Sequence, residues 1–64
     1  MDKWTGVLIG KMHNARVSYD DMAAEIGCSK AYISMVLNCK KKPANAKERF
    51  NRAFTAIIER IKEQ

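Results

Sequence analysis

Apolar residues along this chain recur at intervals of three and four, and the alternation that marks a half-buried strand is missing. The pattern predicts helices only. Trp4, Val7, Leu8, Met12 and Ala15 fall on one face of a first helix over about residues 3–14, with Asp2 as its cap. Gly6 and Gly10 fall on the other side, each weakening the helix by about 1 kcal/mol relative to Ala. Ser18 with Asp21 three residues on resembles a capping box, Asp standing where Glu or Gln is usual, and opens a short second helix that buries Met22, Ala23 and Ile26. Gly27 ends that helix, because it accepts a positive φ without steric cost. Ser29 then caps a third helix whose buried stripe is Ile33, Val36 and Leu37. Two short helices joined by so few residues must cross steeply, which is helix-turn-helix geometry.

Past Leu37 the pattern breaks again. Pro43 forbids helix continuation, and Asn45 with Glu48 suggests a second capping box. From there Ala46, Phe50, Ala53, Phe54, Ile57, Ile58 and Ile61 share one arc of an amphipathic helix of about five turns. The expected architecture is therefore all-α: four helices, or five if the last run is broken, in one domain over residues 1–64. A chain of 64 residues buries only one modest core, so leftover apolar surface points to an interface. Ile57, Ile58 and Ile61 are the candidates for a dimer surface, with ordinary core packing as the alternative.

Charge sharpens the picture. Twelve Lys and Arg against seven Asp and Glu leave a net +5, which favours polyanionic partners. The one dense cluster is Lys40, Lys41 and Lys42. No apolar run approaches the roughly 18 residues of a membrane span, so a cytoplasmic location is expected. Cys28 and Cys39 stand eleven positions apart; through a largely helical segment their Cα atoms would lie about 15 Å from each other, beyond the ~7 Å reach of a disulfide. Two reduced thiols are expected. The sole His13 forms no zinc-ligand spacing with them, and neither Asp20 with Asp21 nor Glu25 has the apolar surroundings that raise a carboxylate pKa. Without a nucleophile motif or a glycine-rich phosphate loop, no enzyme, metal site or cofactor is expected.

The segment "YDDMAAEIGCSKAYISMVLN", Tyr19 to Asn38, puts small Ala23 at a helix contact, Gly27 in the turn and Ile33 between the helices, with Met22, Ile26 and Val36 also apolar. With "MAAEIGCS" and the following "VLNCKKKP", it resembles the lambda-repressor and Cro-like helix-turn-helix family over about Met12 to Pro43. The resemblance implies a small DNA-binding domain of four or five helices, of the kind found in bacteria, phages and mobile elements. Two departures stand out. Cys39 occupies a place where the family often has Gly, and the family's fourth and fifth helices correspond to one uninterrupted run here.

Once Ile33, Val36 and Leu37 face inward, the opposite side of the third helix presents Ser29, Lys30, Ala31, Ser34 and Met35, short or flexible side chains suited to a major groove. Lys30 is placed to donate to guanine O6 and N7, and Ala31 or Met35 to touch a thymine methyl. Tyr19, at the start of the second helix, matches a family position that contacts phosphate, and a helix N-terminus favours an anion. Tyr32, Asn38, Lys40, Lys41 and Lys42 complete the expected phosphate set. The expectation is a sequence-specific regulator of repressor type that binds double-stranded DNA, with a homodimer on a palindromic operator expected since one short helix reads few base pairs. Two alternatives stay open: an accessory DNA-binding protein, such as a recombination directionality or replication factor, and a protein-interaction module such as an antitoxin or antirepressor.

Overall fold

A computed structural model describes residues 3–63; Asp2, the expected cap of the first helix, lies outside them. The described residues form four helices: α1 over Lys3–Ala15, α2 over Tyr19–Ile26, α3 over Lys30–Leu37 and α4 over Ala46–Lys62. Where the family pattern has two helices at its end, α4 runs unbroken for 17 residues. Helix α2 packs on both α3 and α4, while α1 closes the bundle against α4 and α3. The whole measures 35 × 22 × 17 Å. Among the described residues, no helix is long and apolar enough to cross a membrane.

The expected start of α2 is present. Ser18 has extended backbone, its hydroxyl accepts the Asp21 N–H at 3.0 Å, and the Asp21 carboxylate accepts the Ser18 N–H at 2.9 Å. Ser29 caps α3 in the same extended geometry, accepting the Tyr32 N–H at 3.1 Å. The second capping box is not formed. Asn45 sits at φ 60°, ψ 20°, and makes no side-chain cap bond; a left-handed residue turns its side chain away from the N–H groups that an extended N-cap faces. Instead the Ala46 N–H donates to the Pro43 carbonyl at 3.3 Å, so a tight turn rather than a cap leads into α4.

Helices α1, α2 and α3 all stop in one manner, each at a left-handed residue: Arg16 (φ 59°), Gly27 (φ 87°) and Cys39 (φ 62°). After α1, the Val17 N–H reaches back to the Met12 carbonyl at 2.9 Å and Arg16 to His13 at 3.2 Å. After α3, Lys40 reaches Met35 at 2.8 Å and Cys39 reaches Val36 at 3.1 Å, the paired bonds of a Schellman motif. At Gly27 both its own N–H and that of Cys28 converge on the Ala23 carbonyl. Only one of the three stops uses glycine.

The core is Leu8 and Met12 of α1, Val17, Met22 and Ala23 of α2's approach and body, Ile33, Val36 and Leu37 of α3, and Ala46, Phe50, Ala53 and Ile57 of α4. Trp4 meets Phe50 edge to face, ring centroids 5.9 Å apart. Two positions of α1 depart from the expected face. Val7 is 57% exposed and Thr5 is fully buried, because the inner stripe is centred on positions 5, 8 and 12 and Val7 falls on the far side of that wheel. The Thr5 hydroxyl lies 3.8 Å from the Cys39 sulfur, so the buried polar group has a partner.

Candidate nucleic-acid interface

The outer side of α3 is positioned from both ends. Gly27 turns the chain so that α3 begins directly after α2, and Ile33, Val36 and Leu37 fix its rotation by burial. Lys30, Ser34 and Asn38 then lie one turn apart along one line, with Ala31 and Met35 on the next. Ser29, Lys30 and Ala31 are exposed, whereas Ser34 and Met35 are half-buried. The freest part of the face is thus its N-terminal turn.

Each expected contact has a definite local state. The Ser29 hydroxyl accepts the cap bond yet keeps its own proton to donate. Lys30 Nζ lies 3.9 Å from Asp20 Oδ2, a pair exposed on both sides and therefore weak. Asn38 is engaged: its Nδ2 donates to the Ser34 carbonyl at 2.8 Å and lies 3.2 Å from the Ser34 hydroxyl, so its amide is folded back on α3. A phosphate contact by Asn38 must use its second amide N–H or give this bond up.

The start of α2 differs electrostatically from expectation. Asp20 and Asp21 both stand in its first turn. The Ser18 backbone N–H, and then the Ser18 hydroxyl, hold the Asp21 carboxyl below its ordinary value, so it is an anion bound at the helix end. The preference of this end for an anion is already met from within the chain. Tyr19 itself is half-buried and packs against the core, leaving its hydroxyl rather than the helix end as the contact it can offer.

The lysine loop is anchored despite its exposure. The Lys40 and Lys41 N–H groups both donate to the Met35 carbonyl, at 2.8 and 3.2 Å, and Lys41 Nζ stands 5.8 Å over the ring of Tyr32. Cys39, whose left-handed backbone makes the turn, sets its sulfur against Thr5 of α1. The side chains of Lys40, Lys41 and Lys42 are all exposed. Tyr32 and Lys41, expected separately as phosphate contacts, are thereby one cation–π unit.

A neighbouring cation escaped the reading of the sequence. The turn at Pro43 folds the chain back so that Lys47, in the first turn of α4, lines an open groove together with Lys41, Lys42 and Trp4. Its signal was the proline directly after the run, Pro43, which reverses the chain and returns the next lysine to the same side. Of the candidate dimer residues, Ile57 is buried in the core, Ile58 is half-buried, and Ile61 is 52% exposed. Ile57 is therefore withdrawn from that surface: the inner line of α4 runs through Phe50, Ala53 and Ile57 and places it against the bundle. Among the described residues, Cys28 and Cys39 are not joined in a disulfide.

No protein-family model, curated protein or solved structure shows significant similarity to this chain.

Proposed function

We propose that this protein is a sequence-specific double-stranded DNA-binding regulator of the lambda-repressor and Cro-like helix-turn-helix kind, acting as a repressor by occupying its operator. The observation that carries this reading is the presentation of α3: buried Ile33, Val36 and Leu37 on one side, short side chains on the other, and a lysine loop tied to the helix end by the Met35 carbonyl. In this reading α3 enters a major groove, with Lys30, Ala31 and Ser29 nearest the bases and Ser34 and Met35 behind them. Lys40, Lys41 and Lys42 neutralise phosphates and release counterions, supplying affinity without choice of sequence. Tyr32, beneath Lys41, and the hydroxyl of Tyr19 complete the phosphate contacts in this reading. A homodimer formed through Ile61 and Ile58 would set two such helices about one DNA turn apart.

Selection of bound sites from random duplexes, followed by titration of the winner at several salt concentrations, tests the reading. A recurring site and a steep loss of affinity with salt are expected. Absence of measurable affinity for any duplex at low salt refutes it, and a palindromic site would report the dimer.

A further inference from the structure

We propose that the seam between α1 and the start of α4 binds a single strand of nucleic acid, its phosphates on Lys3, Lys11, Lys41, Lys42 and Lys47 and a base against the indole of Trp4. Two open grooves meet there. One is lined by Trp4, Lys41, Lys42 and Lys47, the other by Lys3, Trp4, Lys11 and Lys47, so Trp4 and Lys47 are common to both. The half-buried indole is fixed from below by its edge-to-face contact with Phe50, and it faces both grooves. An aromatic held rigidly among cations along a groove is the arrangement that stacks bases while tracking a phosphate backbone.

The charge of the seam is unbalanced. The ion pairs among the described residues are Lys30 with Asp20 and Arg60 with Glu25, and neither involves a lysine of the seam. One carboxylate, Glu48, lines the first of these grooves and none lines the second. Lys3 and Lys11 stand eight residues apart on α1, about 12 Å along its axis, which matches the length of a few nucleotides rather than one anion.

Chemistry selects the occupant. A duplex keeps its bases stacked inside and offers the indole no base face, whereas a single strand offers phosphate and base together. A membrane surface would call for a broad apolar face, yet Val7 is the only large exposed hydrophobic residue lining these grooves. The site shares Lys41 and Lys42 with the proposed duplex contacts, but Lys3, Trp4, Lys11 and Lys47 belong to it alone, so variants at those positions test it separately from the duplex reading.

Trp4 is the only tryptophan of the chain, so its emission reports occupancy of this site directly. Titration with a short oligothymidylate at low salt is expected to quench it saturably. If all five lysines are engaged, log affinity falls against log salt with a slope of about −3.5. Lys3→Glu with Lys47→Glu, both at exposed positions, weakens binding at least tenfold with unchanged helical circular dichroism, while Lys30→Ala leaves it unaltered. An abasic oligomer of equal length binds at least tenfold more weakly. The proposal is overturned if oligothymidylate does not quench, if polyphosphate, polyglutamate or anionic vesicles quench equally well, or if Lys30→Ala weakens the strand as much as the double variant.

Discussion

Arg16 and Cys39 hold left-handed backbone without glycine's freedom, and their side chains differ in what they return for it. A non-glycine residue in that region carries a steric cost on the order of 1 kcal/mol. Arg16 is exposed, so Arg16→Gly relieves the strain and loses little, and a rise in stability of about 0.5 kcal/mol is expected, visible as a higher Tm. Cys39→Gly removes the thiol that meets the buried Thr5 hydroxyl, so its gain is smaller or reversed. Equal shifts for the two variants in a thermal melt would contradict the part assigned to the Thr5 contact. Ser18→Ala removes the hydroxyl half of the capping box and costs about 1 kcal/mol. The Asp21 carboxylate adds a pH dependence: its folded pKa lies below the ordinary 3.8, so its stabilisation is present above about pH 4 and lost as pH falls through the lowered value. Asp21→Asn, which removes the titrating carboxyl, should flatten that acid limb, whereas Ser18→Ala keeps the backbone N–H that lowers it most and flattens it only in part; denaturant titrations between pH 2 and pH 5 (a span set around the ordinary value of about 4) would measure both.

At the scale of elements, α3 and the loop after it divide the proposed work. Lys30→Ala is expected to narrow the difference between cognate and random duplex, a contact to guanine being worth about 1–3 kcal/mol of discrimination. Lys41→Ala is expected to weaken all duplexes alike and to reduce the salt slope by about 0.9. Binding curves for both variants on both duplexes check this, and equal effects on the two DNAs for both substitutions would contradict it. The helices themselves were legible because apolar spacing and short-range caps are written locally: Ser18 with Asp21, Gly27 and Ser29 each act on neighbours within a few residues. Asn45 with Glu48 had the same spacing and failed, since its backbone conformation is set by the Pro43 turn, which residue types alone do not reveal. The candidate reading face was legible for the same reason as the helix. The fate of Asn38, folded back on Ser34, was not, because a side chain's choice between its own helix and a ligand leaves no trace in spacing.

Across the whole molecule, long-range packing decided what the pattern left open. Thr5 reads as polar and Val7 as apolar, yet the first is buried and the second exposed, since the docking of α1 on α4 and α3 fixes which arc faces inward. A domain of this size has only about 3–10 kcal/mol of stability in total. Leu8→Ala, at a fully buried site, should cost about 3 kcal/mol and unfold much of the population at physiological temperature, as circular dichroism would show. Ile57→Ala should likewise lower Tm, whereas Ile61→Glu should leave the helical signal intact and, if α4 pairs two copies, shift sedimentation to the monomer. An unchanged molecular mass for the Ile61 variant beside a dimeric parent would remove α4 from the interface. The Arg60 to Glu25 ion pair ties the same end of α4 to α2, so an interface there would form on a braced surface.

The attachment of Lys40 and Lys41 through main-chain bonds has a consequence for how such a protein can change. Because Lys40 and Lys41 are held through their N–H groups on Met35, the path of the loop does not depend on what their side chains are. Any residue but proline keeps those two bonds. Strength of attachment to a polyanion can therefore drift upward or downward, one charge at a time, without disturbing the geometry that selects where to attach, and the two properties can be inherited and adjusted separately.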